Sequence, residues 1–147
     1  MTVTHDRRLT PATERVALDR LRGVIDRPAY TAGRPARVTV PIADLYHAPA
    51  GARDRQVNFG ADLTVIDESE GWAFVQATLD GYCGWIRAAH LGDADAPITH
   101  RVSAPATHIY SAPNLKTPET LSLSLGARLS ISGRDGAFAQ LVQGGWI

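Results

Sequence analysis

Glu70-Gly-Trp-Ala-Phe-Val-Gln-Ala-Thr-Leu-Asp-Gly-Tyr-Cys-Gly-Trp-Ile86 is the stretch that decides the fold of this chain. The residues from Trp72 onward alternate in a period of two, with Trp72, Phe74 and Gln76 on one face of a strand. Asp80-Gly81 is typical of a hairpin turn, because glycine accepts positive φ without steric cost. The stretch therefore predicts two antiparallel strands joined by a tight turn.

The same pattern recurs further along the chain. Such an internal repeat indicates that the same structural unit occurs twice. Five landmarks return in the same order, with Gly-Trp-Ile closing both copies. They pair Ala43-Asp-Leu-Tyr-His-Ala-Pro49 with Thr107-His-Ile-Tyr-Ser-Ala-Pro113, Gly60-Ala61 with Gly126-Ala127, Gly71 with Gly136, Phe74-Val-Gln76 with Phe138-Ala-Gln140, and Gly84-Trp-Ile86 with Gly145-Trp-Ile147. We therefore predict an all-β protein of two tandem small β-barrels, because closing each sheet into a barrel removes its exposed edges.

The repeat also predicts the domain organisation. Residues 1–37 form an N-terminal arm, residues 38–92 the first barrel and residues 99–147 the second, with Gly92-Asp-Ala-Asp-Ala-Pro97 as the linker. The first copy continues past its Gly-Trp-Ile, whereas the second stops there, so we expect the second barrel to be truncated.

The arm allows two interpretations. Thr10 as N-cap, Pro11 as the first helical residue and Gly23 as the terminator predict one short helix over 12–21. The alternative, which the sequence favours, is an extended arm packed along the barrels.

Composition excludes several functions. Fifteen basic and fifteen acidic side chains cancel, so the chain lacks the basic surplus of a nucleic-acid-binding protein. No stretch reaches the roughly 20 apolar residues that span a bilayer, and the first residues lack the apolar core of a secretory signal. We expect a cytoplasmic protein, with which the single cysteine, Cys83, is compatible.

A family resemblance follows from these motifs. Leu45-x-x-Ala-Pro, Gly60-x-x-Leu-x-Val, Glu70-Gly-Trp-Ala-Phe-Val and Gly84-Trp-Ile resemble the bacterial SH3 domain. The arrangement is similar to the amino-terminal region of NlpC-type cell-wall cysteine peptidases of the dipeptidyl-peptidase VI group. The most specific points are Asp6-Arg-Arg-Leu-Thr-Pro-Ala and Ala52-Arg-Asp-Arg-Gln-x-x-Phe-Gly60.

The resemblance implies a function for the whole family. A papain-like C-terminal cysteine peptidase domain follows the SH3-like pair and cuts murein peptides between γ-D-glutamate and a diamino acid. Its Asp-Cys-Ser-Gly nucleophile motif is missing from this chain. We therefore predict a non-catalytic, substrate-positioning module with no catalytic residues, no cofactor and no metal. Its partners are murein-derived peptides with a free N-terminal amine.

The resemblance also implies a binding site. In the family a carboxylate and a tyrosine of the first SH3-like domain bind the amino terminus of the substrate, and Asp54 and Tyr82 match those positions. A charge-assisted hydrogen bond to a carboxylate suits an ammonium group, although family members can carry the longer glutamate. The repeat places Thr120 and Gln143 at the equivalent positions, so the second copy lacks both groups. The alternative is that Asp54 pairs with Arg53 or Arg55 in a solvated loop.

Other residues offer weaker interpretations. Cys83 has no nearby histidine to activate it, so a half-buried apolar role is favoured over a catalytic one. The histidines show no close metal-ligand spacing. The alternative function is a stand-alone protein- or peptide-binding SH3-like interaction module. Tyr46, in Asp44-Leu-Tyr46, is a weak sign of the proline-peptide groove of eukaryotic SH3 domains.

Overall fold

The computed structural model describes residues 5–147, and it is built almost entirely of β-strands. This confirms the predicted all-β fold class. The only helical segments in that range are two single 3-10 turns, at Asp19–Leu21 and Ala88–His90.

A curled seven-stranded sheet contains most of the first half of the chain. Its strands follow the spatial order β5-β4-β8-β7-β6-β3-β9 and pair antiparallel throughout. Their bounds are β3 Arg34–Val38, β4 Ile42–Tyr46, β5 Arg53–Asn58, β6 Asp62–Ser69, β7 Trp72–Ala77, β8 Cys83–Arg87 and β9 Leu91–Gly92. The sheet curls into the half-barrel that an SH3-like fold requires, and the first hairpin predicted from sequence, β7–β8, lies at its centre.

The interior of this sheet contains small and branched apolar side chains. Leu45, Leu63, Val75 and Ile86 are each at most 2% exposed. Ala73 and Val75 face this core, while Phe74 faces a smaller cluster with Cys83 on the other side of the sheet. The alternation predicted for the strand after Trp72 is therefore present, and both of its faces are covered.

The second half of the chain has its own apolar core and shorter strands. Val102, Ile109, Leu123, Leu129 and Leu141 lie in this core, which is separate from the first. Six strands surround it, namely β10 His100–Arg101, β11 Ala106–Tyr110, β12 Glu119–Ser124, β13 Arg128–Leu129, β14 Ile131–Asp135 and β15 Phe138–Leu141. The domain boundaries proposed from the sequence stay predictions.

The two cores are joined through residues that the sequence did not single out. Phe59 follows β5 but packs, 4% exposed, among the side chains of the second core. The backbone N–H of Arg128 donates to the carbonyl of Phe59 at 2.9 Å. Arg37 donates from the first sheet to the carbonyl of Ala96 at 2.5 Å. The two halves therefore share apolar and polar contacts along one seam.

Strand register corrects one of the sequence correspondences. Phe74 lies opposite Trp85 in the first sheet, whereas Gln140 bridges to Trp146 in the second half. By register, Gln140 is therefore the counterpart of Phe74. Phe138, which the sequence paired with Phe74, lies two residues before Gln140 in the same strand. A shift of two keeps every side chain on its own face, so alternation alone does not fix this register.

The helix predicted over 12–21 does not form. Ala12 instead bridges to Ala17, and β1 Val16–Leu18 pairs in parallel with β2 Ala29–Thr31. Leu18 is buried against the outer face of the sheet. Packing of the extended segment thus outweighs its modest helix propensity, and the alternative of an arm packed on the barrel is correct.

Candidate functional site

Asp54 lies on a β-bulge of the hairpin formed by β4 and β5. Tyr46 pairs with Arg53 and Leu45 pairs with Arg55, which leaves Asp54 as an extra residue between them. A bulge re-aims a side chain and bends its strand, and bulges are common beside binding sites. The alternative interpretation of the sequence placed Asp54 in a solvated loop. The structure instead places it in a strand, with its side chain only 15% exposed.

Tyr82 follows the tight turn at Asp80-Gly81 and enters β8. Its backbone N–H donates to Asp80 Oδ1 at 3.1 Å, and its carbonyl accepts from the N–H of Ala77 at 2.8 Å. The ring packs, partly buried, against the first core. The Arg55 guanidinium lies over the ring, 4.7 Å from its centroid, and is itself paired with Asp80 at 2.5 Å. The phenol is therefore held in a fixed orientation.

The partner of Asp54 comes from the N-terminal arm. Arg7 donates from Nη1 to Oδ2 at 2.5 Å and from Nη2 to Oδ1 at 3.1 Å. This two-pronged geometry is the strongest form of an arginine–carboxylate contact. The pairing proposed with Arg53 or Arg55 is wrong, because Arg53 lies 3.5 Å from Asp44 and Arg55 pairs with Asp80.

Electrostatics link Asp54 and Tyr82. The hydrogen bond from Arg7 lowers the pKa of the Asp54 carboxyl below its ordinary value of 3.8, against a smaller opposing effect of burial. The neighbouring His47 and Tyr82 side chains lower the pKa of Asp54 further. The structure therefore brings the two predicted site residues together, and it adds Arg7 and His47 to them.

Arg7 was missed as a site residue, although the sequence contained a signal for it. Asp6-Arg-Arg was among the most specific points of the family resemblance. Nothing in the sequence indicated that the arm reaches the hairpin 47 residues away. The contact depends on how the arm folds back, which is a tertiary property.

A groove lies next to the Arg7–Asp54 pair, between the arm and the barrel. It has a volume of about 790 Å³, and Arg7 and His47 line one part of it. Phe74 and Trp85, whose ring centroids lie 5.4 Å apart, provide an apolar wall. Charged side chains beside an apolar wall suit a short peptide, and Asp54 itself is not among the residues that line this groove.

The second half of the chain carries the equivalent bulge without the charge. Tyr110 pairs with Glu119 and Ile109 pairs with Leu121, so Thr120 is the extra residue there. The Thr120 hydroxyl donates to the carbonyl of Ile109 at 3.2 Å. The equivalence of Asp54 and Thr120 inferred from the sequence is thus supported by register, and only the first half has an anion at this place.

Cys83 is not equipped for nucleophilic catalysis. Its side chain is 1% exposed, and burial raises the pKa of the thiol to about 12. The reactive species of a cysteine is the thiolate, and such a thiol stays protonated at neutral pH. Cys83 instead packs with Leu18, Ile66 and Phe74.

Two structural features are absent from residues 5–147. That range contains no group of three or more histidine, cysteine or acidic side chains placed to hold a metal ion. It also contains no helix long and apolar enough to cross a membrane.

Comparison with known proteins identifies the first barrel. Residues 45–91 match the family model of the bacterial dipeptidyl-peptidase SH3 domain. None of the curated proteins matches the chain. The fold and this match define residues 45–91 as a bacterial SH3 domain, and the domain belongs to the dipeptidyl-peptidase group.

The likeness extends to a solved structure with a similar fold. The chain is 19% identical to an NlpC/P60 family protein from Bacillus cereus, with a TM-score of 0.60, and the match covers 77% of this chain and 53% of that one. NlpC1 and NlpC2 from Trichomonas vaginalis are each 17% identical. Their TM-scores are 0.39 and 0.37, and the matches cover 80% and 78% of this chain and 45% and 46% of theirs. The chain thus spans about half the length of the Bacillus protein.

Proposed function

We propose that this chain is the non-catalytic, substrate-positioning module of a murein-peptide cysteine endopeptidase. Its first SH3 domain binds the free amino terminus of a cell-wall peptide through Asp54 and Tyr82. The enzyme that it serves cleaves between γ-D-glutamate and a diamino acid. The match of residues 45–91 to a dipeptidyl-peptidase SH3 domain supports the association with a peptidase.

One observation carries the assignment of the amine site. The Asp54 carboxylate, re-aimed by a bulge and adjoined by the Tyr82 phenol, already holds a cation of its own chain in a two-pronged contact. A carboxylate that orders a guanidinium in this way also suits an ammonium group. The neighbouring groove offers space for the rest of a short peptide.

Binding of a matched pair of peptides tests this function. L-Alanyl-γ-D-glutamate with a free amine and its N-acetylated form differ only in the cation. NMR titration of the chain should give a dissociation constant of about 1 mM or weaker for the free amine, and acetylation should weaken binding at least about threefold, because the charge-assisted bond is lost.

Variants assign the effect to the proposed site. Asp54→Asn should abolish the preference for the free amine, while Thr120→Val, at the equivalent bulge of the second half, should keep it. Equal binding of the two peptides by the wild-type chain would show that the amine is not recognised. A preference that survives Asp54→Asn would place the amine elsewhere.

The second candidate function is a stand-alone interaction module for proline-rich peptides. It is favoured by one aromatic pair, because Tyr46 and Trp72 meet edge to face with centroids 5.3 Å apart. Such peptides dock on aromatic grooves. Trp72→Ala should then remove binding of a proline-rich peptide and leave that of the free-amine dipeptide intact.

A further inference from the structure

The N-terminal arm covers the carboxylate that the proposed function assigns to the substrate. Both oxygens of Asp54 accept from the Arg7 guanidinium, at 2.5 and 3.1 Å. The Asp54 side chain is 15% exposed, whereas that of Arg7 is 57% exposed. The acceptor is therefore mostly hidden, and the side chain that covers it faces solvent.

The covering segment has few attachments to the barrel. Within residues 5–10, the backbone contact with the sheet is a single hydrogen bond, from the N–H of Cys83 to the carbonyl of Arg8 at 2.6 Å. The segment otherwise closes on itself, since Arg8 pairs with Asp6 at 2.7 Å and the Thr10 hydroxyl donates to the Asp6 carbonyl. Residues 5–9 are all exposed.

The arm beyond this segment is fixed much more firmly. Pro11 is fully buried. Thr13 and Arg15 both donate to the Asp67 carboxylate, at 2.8 and 2.6 Å. Release of the segment from the barrel breaks the Arg8 backbone hydrogen bond and the Arg7 ion pair, while the Pro11 and Asp67 contacts hold the rest of the arm in place. The Ala12 N–H, which donates to the Thr10 carbonyl at 2.8 Å, marks where the segment joins the fixed part of the arm.

Charge makes the arm and the ligand mutually exclusive. Arg7 neutralises Asp54, so a second cation at the same carboxylate would be attracted weakly and would be repelled by the guanidinium. A peptide ammonium needs the oxygens that Arg7 occupies. Guanidinium and ammonium each carry one positive charge and donate hydrogen bonds without accepting any. Arg7 therefore occupies Asp54 in the same way as the amine of the peptide would.

We propose that Arg7 is an intramolecular competitor of the peptide amine, and that the 5–10 segment opens to admit the substrate. This inference rests on the proposed function, because it takes Asp54 as the amine site. It adds a residue that sets the affinity of that site. The observed affinity of a site that is open only part of the time falls in proportion to the open fraction.

Removal of the guanidinium tests the competition. Arg7→Ala should bind L-alanyl-γ-D-glutamate about twofold to fivefold more tightly than the wild-type chain, since an exposed ion pair is worth at most about a factor of this size. Its affinity for the N-acetylated dipeptide should not change. Arg8→Ala is the matched control, because it removes the same charge one residue away, keeps the backbone carbonyl and leaves Asp54 paired.

Hydrogen exchange at the Cys83 amide provides an independent readout, because this amide donates to the arm. Its exchange should become faster when the free-amine dipeptide is added, and also in Arg7→Ala without peptide. The N-acetylated dipeptide should leave it unchanged.

Each contrary result has a distinct meaning. If Arg7→Ala binds the free-amine dipeptide more weakly than Arg8→Ala, Arg7 positions Asp54 and the competition is refuted. If the wild-type chain binds with unchanged Cys83 exchange and Arg7→Ala gains no affinity, the inference fails while the proposed function stands. If neither the wild-type chain nor Arg7→Ala distinguishes the two dipeptides, the proposed function fails and the inference fails with it.

Discussion

Asp54 and Thr120 occupy the same position in two different hairpins, each as the extra residue of a β-bulge. Asp54 uses its bulge to meet Arg7 and Tyr82, whereas the Thr120 hydroxyl turns back to the carbonyl of Ile109. The same local backbone therefore carries an anion in the first half and only a neutral hydroxyl in the second. The bulge is therefore a feature of the fold that both halves share, whereas the negative charge is a feature of the first half alone.

The Tyr82 hydroxyl should contribute to peptide binding. Tyr82→Phe removes the hydroxyl that the proposed function assigns to the peptide and keeps the ring that packs on the core. We expect about twofold to fivefold weaker binding of a free-amine dipeptide, the typical cost of one neutral hydrogen bond, measured by NMR titration. Tyr46→Phe is the control, because its hydroxyl donates to Asp44 instead. Equal losses in both variants would contradict the prediction.

The Arg7–Asp54 pair should depend on pH. The hydrogen bond from Arg7 lowers the pKa of Asp54 in the folded chain below 3.8. The pair therefore stabilises the fold above pH 3.8, and that contribution is lost as the pH falls through the folded pKa. Carbon-detected NMR titration should give a pKa below 3.8 for the wild-type carboxyl and a higher one in Arg7→Ala. An unchanged pKa in that variant would show that Arg7 does not hold the carboxylate in solution.

Cys83 should resist thiol reagents in the folded chain. Its side chain is 1% exposed and burial raises its pKa to about 12, so the reactive thiolate is scarce at pH 8. Labelling with a chromogenic disulfide should require unfolding and should accelerate by orders of magnitude in denaturant. Rapid labelling without denaturant would mean that the cluster around Leu18 and Phe74 opens readily.

Gly60 should be essential to the seam between the two cores. It has φ +76°, and an added Cβ would lie 2.0 Å from the backbone carbonyl oxygen of Arg128. Gly71 has φ +82° but open space around it. Gly71→Ala should cost about 1 kcal/mol of unfolding free energy, from backbone strain alone, and Gly60→Ala about 2 to 4 kcal/mol, because the seam must also shift. Denaturant unfolding measures both, and equal costs would show that the seam yields freely.

Local sequence patterns predicted much of this fold. Alternation after Trp72 and the turn at Asp80-Gly81 identified the central hairpin, since both depend on residues adjacent in the chain. The arm was harder to predict, because Val16–Leu18 becomes a strand only when Ala29–Thr31 lies beside it. The insertion of Phe59 into the second core was also invisible, since a single aromatic residue carries no pattern.

The candidate site was predicted in part. The resemblance indicated Asp54 and Tyr82, and the structure places them together. The alternative interpretation paired Asp54 with Arg53 or Arg55, but the strand directs these side chains toward Asp44 and Asp80. Arg7 could not be deduced, because an ion pair between residues 47 positions apart depends on the path of the whole arm.

The most direct test of the central claim is a crystal structure of this chain with L-alanyl-γ-D-glutamate bound at saturating concentration. The account predicts that the peptide nitrogen lies within about 3.2 Å of an Asp54 carboxylate oxygen, beside the Tyr82 hydroxyl and with Arg7 displaced. A peptide bound elsewhere, with the Arg7–Asp54 pair intact, would contradict it.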